Sequence, residues 1–113
     1  MSREFIVTKI FDKRWLEMGL DDDDLRKLEN YLINNPGNGD IIQGTGGAKK
    51  LRWSLPNTGK SGGIRIIHID FIKMERIYLI TCYPKSKKDN LTNQEKGIIK
   101  EMIIRLKNER VIK

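Results

Sequence analysis

Two hydrophobic periods alternate along the chain, and together they predict its elements. "EFIVTKI" (Glu4 to Ile10) is short and rich in β-branched residues, a strand signal. Phe11, Trp15 and Met18 then recur at helical spacing, and Gly19 closes that short helix. A second helix opens on the aspartates of "DDDDLRKLENYLINNPG", carries Leu25, Leu28 and Leu32 as its buried stripe, and stops at the proline and glycine. After the glycine-rich "GDIIQGTGGAKK", which reads as a loop, the period falls to two. "KKLRWSL" (Lys49 to Leu55) puts Leu51, Trp53 and Leu55 on one face and Lys50 and Arg52 on the other. "IRIIHIDFIK" and "RIYLITCY" are two strands separated by Met74 and Glu75, short enough for a hairpin. "TNQE" (Thr92 to Glu95) is a capping box for a last helix whose apolar face is Ile98, Ile99, Met102, Ile103 and Leu106. The predicted fold class is α+β, in the order β-α-α-β-β-β-α. An antiparallel sheet of about four strands would carry two N-terminal helices and one C-terminal helix. A length of 113 residues suits one domain over residues 1–113.

Composition narrows the class. With 38% hydrophobic and 33% charged residues the chain reads as a soluble domain with more charge than average. No apolar run approaches a membrane span, and "MSREFIVTKIF" lacks a signal-peptide layout, so a cytoplasmic location with no membrane partner is expected. The single cysteine cannot form an internal disulfide. Net charge is +7 and unevenly placed: −3 over residues 1–42, +7 over 43–90 and +3 over 91–113. A surface built from the middle segment attracts phosphates at long range, the footprint of a nucleic-acid binder; a basic surface kept for solubility is the plainer alternative.

Several familiar chemistries fail on residue spacing. "GKS" at 59–61 resembles the tail of a phosphate-binding P-loop, but Ser54 stands where its first glycine belongs, and a strand follows where a helix is needed. Four consecutive aspartates point in four directions around a helix and lack the alternation of a calcium loop; they cap it instead. His68 and Cys82 each lie inside a predicted strand, where packing roles are usual, and no cysteine–histidine cluster could hold zinc. Ser61 lies in no nucleophile elbow. What remains is a set of cations at strand ends and in loops: Lys49, Lys50, Arg52, Lys60, Arg65, Lys85, Lys87 and Lys88. Such a set can cleave RNA without metal or cofactor, because the attacking group is the substrate's own 2′-hydroxyl. The protein need only align it, move protons and stabilise a charged phosphorane. Tyr83 and Trp53 are candidates for stacking on bases, although Trp53 shares its face with two leucines and fits a core position. Residue types alone do not separate a nuclease from a binder.

The blocks "GTGGAKKLRW", "GKSGGIRII" and "RIYLITCYPKSKKDNLT", in that order and followed by a terminal helix, resemble the RelE/HigB-type toxins of bacterial type II toxin–antitoxin modules. The resemblance implies a RelE-like fold, with helices on one side of the sheet and a catalytic surface on the other. It implies ribosome-dependent cleavage of messenger RNA, inhibited by a co-expressed antitoxin of helix-turn-helix type that reaches operator DNA. Carried over by position, Arg65 would stabilise the transition-state phosphate, Lys85 would transfer a proton, and Lys60 would assist at the phosphate. Lys49, Lys50, Arg52, Tyr83, Lys87 and Lys88 would bind RNA. Asp89 matches an acidic position before the last helix, where it would cap the helix, orient a lysine or take part in chemistry. Two departures stand out: His68 replaces a frequent aromatic, as a packing residue or an unusual acid–base group, and Pro84 interrupts its strand. The same fold also carries a gyrase-poisoning ParE branch and non-catalytic co-repressors, which remain the alternatives.

Overall fold

A computed structural model describes residues 3–54 and 63–112. The chain runs β1 (Glu4–Val7), α1 (Lys9–Glu17), α2 (Asp22–Asn34), β2 (Asp40–Ile41), β3 (Lys49–Trp53), β4 (Ile64–Phe71), β5 (Arg76–Pro84) and α3 (Asn93–Ile112). One sheet holds all five strands in the order β1-β5-β4-β3-β2. The α+β class and the element order match the sequence-based expectation, with two differences. Asp40 and Ile41, read as loop, pair with Lys50 and Lys49 as a fifth, two-residue strand. The sheet is also mixed rather than antiparallel throughout, because β1 lies parallel to β5 in the register Glu4↔Arg76 to Val7↔Leu79. Such a pair needs a long crossover, and here everything between the two strands in sequence supplies it.

Caps set the helix boundaries. The Thr8 hydroxyl accepts the Phe11 N–H at 3.1 Å, so the segment predicted as a strand to Ile10 turns into helix at Lys9. Asp21 and Asp24 form a reciprocal box at the start of α2, each carboxylate accepting the other's backbone N–H at 2.9 and 3.0 Å. The aspartate run is therefore a cap. Thr92 and Glu95 do the same for α3, at 3.1 and 2.8 Å.

Alternate side chains of the sheet feed two cores. On one face Leu51, Ile64, Ile66, Ile77, Leu79 and Cys82 pack against Phe11 and Trp15 of α1 and Leu28 and Leu32 of α2. On the other, Ile67, Ile69, Phe71, Tyr78, Ile80 and Tyr83 pack against Ile99 and Ile103 of α3. Helices thus cover both faces, not one, and α3 shares its face with the basic side chains of β3 and β4. Truncating a fully buried Leu28 or Leu32 to alanine costs about 2–5 kcal/mol. The expected apolar face of α3 holds for Ile99, Met102, Ile103 and Leu106, but Ile98 is 63% exposed. The helix is apolar on more than one side, and the sheet reaches only one of them.

A bulge in β5 shapes the site. Ile67 faces Thr81 and His68 faces Leu79, which leaves Ile80 without a partner on β4. Past that extra residue the pleat inverts: Leu79 and Cys82 share one face, Ile80 and Tyr83 the other. The Thr8 hydroxyl donates to the freed Ile80 carbonyl at 2.6 Å.

Candidate functional site

The bulge puts Tyr83 on the face of Arg65, its direct partner across the strands, and Arg65 is in turn opposite Arg52. Three adjacent strands therefore present Arg52, Arg65 and Tyr83 as a row, with Lys50 two residues from Arg52 on the same face. The residues after β5 close over one end of this row. Arg65, 2% exposed, donates from Nε to Asp89 Oδ1 at 2.8 Å. Lys50 Nζ donates to the Asp89 carbonyl at 3.1 Å and to Asn90 Oδ1 at 2.9 Å. The Tyr83 hydroxyl donates to the same Asp89 carbonyl at 3.3 Å. Lys88 Nζ lies 4.9 Å from the Tyr83 ring centre and 2.5 Å from Glu95 Oε2. Lys85 follows Pro84 on an exposed turn, its backbone N–H donating to the Gly63 carbonyl at 3.1 Å. Pro84 ends β5 rather than interrupting it.

The electrostatics follow from these contacts. The hydrogen bond from Arg65 holds the Asp89 carboxyl below the usual carboxylate range, and the charges of Lys50 and Lys85 act in the same direction. Asp89 is thus the common counter-charge of three cations predicted as site residues. It caps nothing, since Thr92 and Glu95 already cap α3. Burial raises the Tyr83 hydroxyl above its ordinary value, with Asp89 and Glu95 adding to the shift, so it remains a donor at neutral pH. Glu95 is held low despite burial, by Lys88 and the Thr92 N–H.

Arg65, Lys50, Arg52, Tyr83, Lys85 and Lys88 are thus brought to one rim. Lys87 is exposed on the turn beside them. Lys49 is not among them: it sits on the opposite face, opposite His68, with Nζ donating to the Gly37 carbonyl at 2.6 Å. Lys60 and the rest of the "GKS" turn lie outside the described residues. Tyr83 is buried under Lys88, and Trp53 packs on the helix core, its ring 5.3 Å from that of Tyr31. His68 is fully buried on the Lys49 side, its Nε2–H donating to the Asn38 carbonyl at 3.0 Å. Burial pushes its pKa down to about 4, and Nδ1 finds no partner among the described residues. That environment makes His68 a neutral packing residue.

Sequence reasoning missed Arg14 and Glu17 of α1, which line a cavity of about 380 Å³ with Tyr83, Lys87 and Lys88. No local signal marks them, because α1 meets β5 only through the tertiary fold. Among the described residues no three histidine, cysteine or carboxylate side chains cluster as a metal site would require. No described helix is long and apolar enough to cross a membrane.

Residues 5–110 match the family model of the RelE toxin of the RelE / RelB toxin-antitoxin system. The match takes in the sheet but for Glu4, all three helices but for the last residues of α3, and every residue of the cationic row. The chain belongs to the RelE family, the toxins of toxin–antitoxin systems.

Proposed function

We propose that this toxin is an endoribonuclease that cuts messenger RNA on the translating ribosome, in the cytoplasm, and is held inactive by a cognate antitoxin of helix-turn-helix type through which it reaches operator DNA. The observation that carries the reading is the cross-strand row Arg52–Arg65–Tyr83, flanked by Lys50 and Lys85, with Arg65, Tyr83 and Lys50 meeting at Asp89. The Asp89 carboxylate occupies the Arg65 fork as a phosphate oxygen of the message would, since both are anions matched to a planar guanidinium. Arg65 stabilises the charge of the phosphorane, and the protonated Tyr83 hydroxyl donates to it. Lys85, exposed on the turn beside them, is the proton-transfer group, with Lys60 assisting at the phosphate. Lys50, Arg52, Lys87 and Lys88 hold the backbone of the message or of ribosomal RNA, and Lys49 contributes from the far face. The substrate supplies the nucleophile, so the mechanism needs no cofactor.

The test is to induce the protein in a bacterium and map message 5′ ends with and without a drug that stops elongation. New ends that vanish with the drug are expected. Ends that persist without translation would sink the ribosome dependence. Uncut messages with a DNA-damage response would replace the reading with the gyrase-directed one.

A further inference from the structure

β1 stops pairing with β5 at Leu79, and among the described residues no strand pairs with the last residues of β5 on that side. A cavity of about 380 Å³ opens there, between the end of α1 and the turn after β5, a size suited to a small ligand. Its wall is mixed in a particular way. Arg14 reaches over the bulge, Nη1 donating to Thr81 Oγ1 at 3.0 Å, and its charge is felt by the Cys82 thiol in the same lining. Lys87 and Lys88 approach from the turn, Met18 and Pro84 supply flat apolar surface, and Glu17 brings one carboxylate. Among the described residues no carboxylate pairs with Arg14 or Lys87, whereas Lys88 is already paired with Glu95. Tyr83, the strand partner of Arg65, belongs to the same wall, so the cavity meets the cationic row at that residue.

We propose that this cavity is a nucleotide subsite, taking the nucleotide that flanks the phosphate held at Arg65, with Glu17 and Arg14 reading the edge of its base. The assignment rests on the ribonuclease reading above. Lys87 and Arg14 suit a phosphate, and Met18 and Pro84 suit the face of a base. Glu17, a pure acceptor, suits the amino or imino N–H groups of a base edge, with Arg14 as the donor beside it. An acidic peptide, the other anion such a basic rim would attract, meets repulsion from Glu17. A base offers that carboxylate donors. Arg14 and Glu17 lie one turn apart on α1, which puts them side by side on the helix surface.

Isotope-labelled protein titrated with the four ribonucleoside 5′-monophosphates tests this, with inorganic phosphate and an acidic peptide as separate arms. The expected result is movement of the Arg14 to Met18 and Lys87 to Lys88 amide signals with at least one nucleotide and not with phosphate alone. Arg14→Ala should weaken that binding about tenfold, the scale of one charge-assisted hydrogen bond. Glu17→Gln, an exposed and nearly isosteric change, should alter the order of preference among the four bases. Shifts produced equally by phosphate, shifts confined to the Arg65 region, no shifts at all, or shifts with the peptide alone would each overturn the subsite. Message mapping reads the ribonuclease reading independently: cutting with no nucleotide bound in the cavity removes only the subsite. Nucleotide binding there with uncut messages removes only the ribonuclease.

Discussion

Arg65 and Asp89 meet at the rim, Nε to Oδ1 at 2.8 Å, joining a guanidinium buried on the sheet's α3 face to a carboxylate that is half exposed. The asymmetry matters. A buried cation left alone is costly, so the turn after β5 is anchored by the need of Arg65 for an anion. Asp89 is also the group that substrate phosphate would have to replace.

Acid should loosen this anchor. The Asp89 pKa is lower folded than unfolded, so its contribution to stability is complete above the ordinary carboxylate value of about 4 and is lost as pH falls through the folded value. Asp89→Asn keeps an acceptor for Nε but no titrating charge. Its melting temperature should be lower than that of the parent at pH 7, and the gap should close toward pH 3. A constant gap across that range would show that the charge of Asp89 contributes nothing.

His68 titrates over a different window. Its pKa is about 4 folded against about 6.5 unfolded, so above pH 6.5 it is neutral in both states and neutral to stability. Between 6.5 and 4 the unfolded chain takes up the proton first, and stability falls as pH is lowered. Two and a half pH units correspond to about 3 kcal/mol at most. His68→Gln, which retains a donor for the Asn38 carbonyl, should flatten the denaturation midpoint between pH 4 and 6.5. An unchanged pH slope in this variant would mean that another group titrates there.

These two residues also mark how far the sequence is legible. The helices were readable because their signals are local: three leucines at Leu25, Leu28 and Leu32, an acidic cap at Asp21, a threonine–glutamate box at Thr92 and Glu95. The β5 bulge was not, because "RIYLITCY" is apolar toward both faces and an inverted pleat leaves no mark in such a run. The parallel placement of β1 and the exposure of Ile98 were hidden likewise, since each depends on which surface a distant element covers. At the site, residue type and order brought out Arg65, Arg52, Lys50 and Tyr83. The partner of Arg65 is not legible: the position of Asp89 before the last helix fits a cap, a lysine's companion or a chemical role, and its contact with Arg65 depends on how the turn folds back. Arg14 and Glu17 were invisible for the same reason.

Gly63, just ahead of β4, is a position where geometry requires glycine. Its φ is +74°, and a Cβ there would run into the Trp53 carbonyl oxygen, a backbone atom that cannot move aside cheaply. At this glycine the close approach is made by the neighbouring strand. Gly63→Ala should therefore destabilise by about 1–3 kcal/mol from conformation alone, and more from the clash. Because the Gly63 carbonyl also receives the Lys85 N–H, cutting should fall further than stability does. Denaturant unfolding alongside message cutting at a temperature where the variant is folded checks this; an unchanged midpoint would refute it.

The sharpest test of the site is the pair Arg65→Lys and Arg65→Ala. If Arg65 stabilised the phosphorane only as a point charge, lysine would restore most of the rate. If its planar fork is what matters, lysine should fail nearly as badly as alanine, because a single ammonium cannot offer two parallel donors. Losing one preorganised donor to a developing oxyanion costs about 10²–10³ in rate. Both variants should therefore cut messages on translating ribosomes at least about a hundredfold more slowly. Alanine also strips Asp89 of its partner, so its unfolding midpoint has to be measured beside the rate. Lysine preserves the charge and keeps the comparison clean. Lys85→Ala in the same assay should slow cutting without moving the midpoint, since its side chain is exposed. Rates near those of the parent in Arg65→Lys would reduce Arg65 to an electrostatic anchor, and normal cutting by Lys85→Ala would move proton transfer to another group on this rim.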